Sequence, residues 1–167
     1  MTISMYQASV PVCIKALNNL KNILKKGEHF AETKKAKPEV LLNSRLAVDM
    51  YPLIKQVQIV SDTAKGAGGR LAGIDLPKFE DNEQSFADLY TRIDKTIAFL
   101  ETIKPAQVDG SEEKEIVLKF GPNEYRFNGI NYLLGFVIPN MGFHTSTAYN
   151  ILRHNGVGLG KSDYLGS

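Results

Sequence analysis

The sequence has a single cysteine, a small net charge and no long apolar run, and each of these absences excludes a class of protein. The one cysteine, Cys13, cannot form an internal disulfide, and its apolar neighbours predict a buried, unreactive thiol. The net charge of +2 is too small for a nucleic-acid interface, which needs a clustered basic face. Because the chain has neither an apolar run of about 18 residues nor a signal-peptide pattern, we expect a cytoplasmic protein that contacts no membrane.

The apolar residues that are present recur at steps of three and four, which predicts four long amphipathic helices. Proline, glycine and capping residues set their limits. We expect the first helix to end at Gly27, before a polar connection over residues 27–37, and the second helix to start at Pro52. The third helix should begin with a capping box at Asp81 and Gln84 and end near Ile103. The fourth helix should run from about Ile130 to Gly156.

Glycine and proline also mark two unusual places inside these helices. The second helix ends in Gly66-Ala67-Gly68-Gly69, and such small residues predict close packing of another backbone, either within the bundle or across a dimer. A phosphate-binding loop is a poorer interpretation, because no strand precedes the glycines. Pro139 lies inside the fourth helix and predicts a kink there.

The segment before the fourth helix changes from helical to alternating spacing. The runs Glu115–Phe120 and Tyr125–Phe127 flank Gly121–Glu124, which predicts a β-hairpin. Two strands alone are barely stable, so the hairpin must pack on the helices. The predicted fold is therefore an all-α, four-helix bundle with a small β-hairpin before the last long helix, as one domain over residues 1–167.

The fourth helix carries the strongest candidate for a functional site. His144 is set among apolar residues, and Asn140 lies four residues earlier. Residues at this spacing share one helical face, and helical bundles build metal and catalytic sites from such faces.

Three stretches of the sequence, Met5–Pro11, Leu46–Leu53 and Gly135–Gly156, carry a resemblance to a known family. With them the chain resembles the DinB/YfiT-like superfamily of metalloenzymes, and within it a bacterial branch catalogued as a domain of unknown function. The resemblance covers the whole chain. It implies a DinB-like four-helix bundle that is often a homodimer.

The resemblance also implies candidate site residues. Metal-binding members carry one histidine at the start of the second helix and two more, four residues apart, in the last helix ahead of a Leu-Arg pair. Here the pair Leu152-Arg153 matches His144 to the second of those two histidines. Asn140 then stands at the first, and Asp49 stands near the second-helix ligand.

This ligand set departs from the family pattern. Three imidazoles suit Zn²⁺ or Ni²⁺, whereas an amide oxygen is a weak ligand for those ions and an acceptable one for Mg²⁺. We therefore expect a degenerate metal-site pocket at Asp49, Asn140 and His144 with no tightly bound metal and an unknown activity. The alternative is a metal-dependent enzyme, of the thiol-cofactor transferase or isomerase type, that acts on a small molecule.

Two further interpretations of the same residues stay open. Asp49 and His144 could act as catalytic acid–base partners without a metal, if they meet in a shared pocket. Otherwise His144 is a core histidine that bonds Asp49 or a hydroxyl of Thr145 or Thr147, and Asp49 caps the second helix. Asn140 would then satisfy the carbonyl that Pro139 leaves free.

Overall fold

The computed structural model describes residues 2–166, which form the predicted all-α, four-helix bundle with a small hairpin. The elements in chain order are α1 Met5–Thr33, α2 Pro38–Leu42, α3 Leu53–Ala72, α4 Phe86–Glu101, α5 Pro105–Val108, β1 Glu115–Phe120, β2 Asn123–Asn128, α6 Gly129–Asn131, a π-helical segment Tyr132–Val137, α7 Ile138–His154 and α8 Lys161–Leu165. The pieces from α6 to α7 follow one another without a break, so we call them the fourth rod. None of the described helices is long and apolar enough to span a membrane.

One core holds the long helices together. Its members recur at helical spacing on every long helix, so each helix buries one apolar stripe against the others. Representative fully buried residues are Leu17, Leu20 and Leu24 of α1, Val57 and Val60 of α3, Leu89 and Ile93 of α4, and Ala148, Ile151 and Leu152 of α7. Cys13 is also buried, as predicted, and burial raises the pKa of its thiol to about 12.

The first helix is longer than the sequence predicts, and the expected end at Gly27 is wrong. Gly27 lies inside α1, where a Cβ would come 2.9 Å from a methyl carbon of Leu152. The glycine therefore allows α1 and α7 to approach closely. The chain leaves the helix only at Lys34, and Lys35 adopts a left-handed φ of 54°.

The predicted capping box of the third long helix is also wrong by four residues. The Ser85 hydroxyl accepts from the backbone N–H of Asp88, and the Asp88 carboxylate accepts from the N–H of Ser85. Asp81 instead pairs with Lys55 at 2.6 Å and with Arg92 at 2.9 Å.

A buried arginine fixes the loop between α3 and α4. Arg92 is only 3% exposed, and its guanidinium lies 2.9 Å from carboxylate oxygens of Asp62, Asp81 and Glu83. The contact with Asp62 has the distance of an ion pair, although Nη2 makes no hydrogen bond of good direction. Lys65 pairs with the same Asp62, so the cluster joins α3, the loop and α4.

The glycine-rich end of α3 packs inside the bundle. A Cβ on Gly68 would lie 2.6 Å from Leu100 and 2.7 Å from Ile103, and one on Gly69 would lie 3.3 Å from Phe99. Of the two interpretations offered by the sequence, close packing within the bundle is the one that these contacts match.

The hairpin leans on the fourth rod through aromatic rings. β1 pairs antiparallel with β2, and rings of both strands contact Phe136, with centroid distances of 6.1 Å for Phe120 and 5.9 Å for Phe127. Tyr132 stacks on the same Phe136 at 6.0 Å. The π-helical segment that carries Tyr132 and Phe136 ends two residues before Pro139, which lacks the N–H needed to continue a regular α-helical ladder.

Candidate functional site

A row of polar contacts joins α3 to the fourth rod. His144 Nδ1 lies 2.6 Å from Gln56 Oε1, Asn140 Nδ2 donates to Thr63 Oγ1 at 2.8 Å, and Arg70 Nη1 donates to Tyr132 Oη at 3.0 Å. As the chain advances along α3 it retreats along the rod, as expected for antiparallel helices. We call these six residues the polar seam.

The amide of Gln56 is held from both sides at one end of the polar seam. Its Nε2 donates to the backbone carbonyl of Tyr51 at 2.9 Å, which fixes Oε1 as the atom that faces His144. An amide oxygen can only accept, so Nδ1 of His144 must carry the proton. The neutral ring therefore keeps a free lone pair on Nε2.

Burial favours this neutral form of His144. The side chain is partly buried, and desolvation lowers the pKa of the imidazole below its ordinary value of 6.5. At neutral pH the ring is thus an oriented base. The Phe143 ring, whose plane is at 89° to the imidazole at 5.1 Å, covers one side of it.

Asn140 occupies the next turn of the same face. Because its Nδ2 donates to Thr63, its Oδ1 is directed elsewhere and accepts no hydrogen bond from residues 2–166. Nδ2 is the atom that could donate to the carbonyl freed by Pro139, but among residues 2–166 its bond is to Thr63, so that interpretation is wrong. The arrangement offers one imidazole nitrogen and one amide oxygen, four residues apart on α7.

The third pair of the polar seam borders a cavity of ≈ 240 Å³. The phenol of Tyr132 is fully buried, and burial raises the pKa of its hydroxyl, so it stays protonated. The cavity lies between α3, the hairpin and the fourth rod, and its lining is Ile59, Asp62, Thr63, Arg70, Leu118, Lys119, Phe120, Tyr132, Phe136 and Asn140. We call it the Arg70 cavity.

Asp49 is not the hydrogen-bond partner of His144, contrary to one interpretation of the sequence. It lies exposed in a turn closed by the bond from Met50 N–H to Ala47 C=O, and no hydrogen bond or ion pair of residues 2–166 joins it to His144 or Asn140. It does not cap α3 either, because Pro52 holds the N-cap position without a side-chain bond. Gln56 makes the contact with His144 instead, because it lies on α3 itself.

The hydroxyl partners suggested for His144 are also wrong. Thr147 donates to the carbonyl of Phe143 at 2.7 Å, and the buried Thr145 hydroxyl has no partner in the structure. Both threonines therefore leave the imidazole to Gln56.

The donor set at the polar seam does not fit a tightly held Zn²⁺ or Ni²⁺. Such ions need several imidazole, thiolate or carboxylate ligands, and the polar seam supplies only Nε2 of His144 and Oδ1 of Asn140. Nowhere in residues 2–166 do three His, Cys, Asp or Glu side chains come together to hold a metal. A harder ion bound by Asp49, Asn140 and His144 stays a prediction.

The sequence does contain a signal for the residues that we missed. Gln56, Thr63 and Arg70 recur every seven residues, so they lie on one face of α3 two turns apart. That face borders the apolar stripe of Val57, Val60 and Ala64, and the apolar spacing alone does not separate the two.

Comparisons with known proteins agree with this architecture. Residues 5–165 match the family described as domain of unknown function DUF1993. A crystal structure of a DinB family member protein from Shewanella denitrificans is similar to the chain, with 42% sequence identity, a TM-score of 0.88, and coverage of 97% of this chain and 92% of that one. No curated protein matches the chain. The chain therefore belongs to the DUF1993 family, and its helical bundle is that of a DinB family member.

Proposed function

We propose that this DinB-like protein binds a small molecule at the polar seam and that His144 is the proton acceptor there, in place of a three-histidine metal centre. The observation that carries the proposal is the chain of bonds from the Tyr51 carbonyl through Gln56 to His144. It orients the ring and leaves Nε2 free, which are the two requirements of a general base.

The chemistry of this base follows from its two nitrogens. An acidic O–H, S–H or C–H group of a bound ligand would transfer its proton to Nε2. The resulting imidazolium keeps its Nδ1–H bond to Gln56, so the ring need not turn during the transfer. The lowered pKa keeps Nε2 unprotonated and ready at neutral pH.

Nitrogen-15 NMR of the metal-free, untagged protein tests the proposal. We expect His144 to be the Nδ1–H tautomer with a pKa below 6.5. The ring resonances of the exposed His29 and His154 act as internal controls. Fragments that bind at the polar seam should shift the His144 ring resonances and leave those of His154 unchanged.

Two results would contradict the proposal. One is an Nε2–H tautomer, since Nε2 would then have no lone pair for a proton. The other is a fragment library of weak acids in which no member shifts the His144 ring. A Gln56→Leu variant serves as the matched control, because removing Oε1 should release the fixed tautomer.

A metal-dependent enzyme is the second candidate, and one observation favours it. Nε2 of His144 and Oδ1 of Asn140 accept no hydrogen bond from residues 2–166, and they lie on the same face of α7 at the spacing of a two-ligand metal site. Titration with Zn²⁺, Ni²⁺ and Mg²⁺ separates the candidates. Binding of one ion per chain that is lost in His144→Ala and in Asp49→Ala would favour the metal enzyme. If none of the three ions binds in a one-to-one ratio, the first proposal is favoured.

We also propose that the protein is a cytoplasmic homodimer. The family resemblance supports the homodimer, and so does an apolar groove between α1, α7 and α8. The groove is flanked by three exposed apolar side chains, Val12, Ile138 and Leu165. A second copy of the chain is the occupant that we expect.

A further inference from the structure

Arg70 is a cation without an anionic partner at the edge of a cavity. Its guanidinium donates to the neutral phenol of Tyr132, and no ion pair joins it to a carboxylate of residues 2–166. Arg92, the other arginine beside α3, is matched by three carboxylates. An arginine fork that is partly withdrawn from water and left unpaired favours an added carboxylate or phosphate.

Gly66 holds the Arg70 guanidinium in this position. A Cβ on Gly66 would overlap Nη1 of Arg70 and lie 3.2 Å from Cζ and 3.4 Å from the Tyr132 hydroxyl. The arginine therefore folds back along its own helix over the bare backbone of Gly66, one turn earlier. Any larger residue at position 66 would push the guanidinium away from Tyr132.

The charges around the Arg70 cavity leave a net attraction for an anion. Asp62 also lines the cavity, but it is ion-paired with both Lys65 and Arg92 at 2.9 Å. Lys119, on the hairpin side, is paired only at 3.6 Å with Glu124. The carboxylate in the cavity wall is thus compensated, whereas the guanidinium of Arg70 is not.

The remaining wall defines the rest of the ligand. Phe120 and Phe136 line the cavity together with Leu118 and Ile59, which gives it an apolar and aromatic surface as well as the cation. Aromatic rings pack well on such a surface. The volume of ≈ 240 Å³ lies below the 300–1,000 Å³ usual for drug-sized ligands, so the cavity admits only a small molecule or one end of a larger one.

We propose that the Arg70 cavity binds a small organic carboxylate with an aromatic or apolar body, with its carboxylate on Arg70 and its body against Phe120 and Phe136. This goes beyond the proposed function and does not depend on it, because the anion site is centred on Arg70 and the proton acceptor is His144. Gly66, beside the guanidinium, is ten residues and about 15 Å along α3 from Gln56, the residue that bonds His144.

Isothermal titration calorimetry with 3-phenylpropionate and its neutral amide, 3-phenylpropanamide, tests the proposal. We expect the acid to bind at least tenfold more tightly than the amide, and Arg70→Gln to abolish that difference. Gly66→Ala should weaken binding of the acid at least fivefold although the positive charge remains. Gly158→Ala is the matched control, because nothing lies within 4 Å of a Cβ there, and its Kd should stay within twofold of the wild type.

Equal Kd values for the acid and the amide would overturn the proposal, as would no binding of the acid at millimolar concentration. A Kd for the acid that is the same in Arg70→Gln as in the wild type would overturn it too. The proposed function is judged separately, from the His144 tautomer of the ligand-free protein, so either idea can fail without the other.

Discussion

At the scale of single residues, Gln56 decides what His144 can do. A carboxylate in its place would accept from the same nitrogen but would also favour the charged ring, whereas the amide orients the imidazole without adding charge. Burial acts in the same direction, since it lowers the pKa of His144. The result is a ring with one defined basic nitrogen.

The lowered pKa of His144 predicts a dependence of stability on pH. As the pH falls, the unfolded chain takes up a proton near 6.5, before the folded protein does. The stability contributed by neutral His144 is therefore complete above about pH 6.5 and is lost between that value and the lower pKa of the folded state. Urea unfolding at about pH 7.5 and about pH 5 should show a larger loss for the wild type than for His144→Gln.

The carboxylates are the same in the wild type and in His144→Gln, so their contribution to the loss of stability cancels when the two proteins are compared. Asp81 and Asp163, whose pKa values lie below 3.8, lose their contribution only at still lower pH. Identical losses in the two proteins would contradict the assignment of a lowered pKa to His144.

Only part of the site could be predicted from single residues. His144 and Asn140 stand out because polar residues are rare on an apolar helix and because the family resemblance aligns them with ligands. The partner of His144 could not be predicted, since Gln56 is uncharged and 1% exposed, and only the crossing of α3 with α7 brings them together. Its charge favours Asp49 as a partner of His144 in the sequence, but the turn before α3 leaves Asp49 exposed to solvent.

At the scale of elements, glycines in helices have opposite roles that substitution can separate. Gly68→Ala would place a methyl group 2.6 Å from Leu100, and overpacking of this kind costs about 1–3 kcal/mol against a helix-propensity gain of about 1. Gly135→Ala, with nothing within 4 Å, should stabilise the fold by about 0.5–1 kcal/mol.

Thermal unfolding monitored by circular dichroism measures both substitutions. For a chain of this length, 1 kcal/mol corresponds to about 2–4 °C in the midpoint. A midpoint for Gly68→Ala at or above that of Gly135→Ala would contradict the close packing of α3 on α4.

The position of the loop between α3 and α4 depends on the ion pairs of Arg92. Arg92→Met would leave Glu83, whose side chain is 8% exposed, without its cation, and breaking a buried ion pair costs about 3–5 kcal/mol. We expect about 3 kcal/mol, because Asp62 and Asp81 are partly exposed to water.

Urea unfolding of Arg92→Met measures this loss. The control is Lys21→Met, which breaks the ion pair with the exposed Asp94 and should cost less than about 1 kcal/mol. Similar losses of unfolding free energy in the two variants would show that the buried Arg92 cluster stabilises the fold no more than an exposed ion pair does.

Element types were easier to predict than their ends. The apolar spacing fixes each helix because burial of a stripe drives its formation. The ends depend on which of several neighbouring residues caps the helix. Ser85 and Asp88 cap α4, whereas Asp81 forms ion pairs with Lys55 and Arg92. Gly27 does not end α1, because without a Cβ it lets Leu152 of α7 pack closely against the continuing helix.

At the scale of the whole molecule, the proposed homodimer can be tested by a substitution in its expected interface. Val12 is 47% and Ile138 is 41% exposed beside the apolar groove. Val12→Glu would place a charge in a dimer interface, so light scattering after gel filtration should change from twice the chain mass of 18.5 kDa to the chain mass itself. Val40→Glu, on the exposed side of α2, should leave the mass unchanged.

A wild type that elutes with the mass of one chain would contradict the homodimer. So would a Val12→Glu variant that keeps the doubled mass, since the interface would then lie on another face.

The π-helical segment divides the fourth rod into two halves whose angular phases are set independently. His144 and Asn140 lie on the C-terminal side of Val137, whereas Tyr132 lies at the start of the segment. Deleting Gly135 would turn everything before it by about 100° relative to α7. Tyr132 and the attached hairpin would swing away from Arg70, while the imidazole would stay opposite Gln56. Insertions or deletions in the π-helical segment would thus alter the Arg70 cavity, whereas substitutions would alter the basic nitrogen of His144, and either can change without the other.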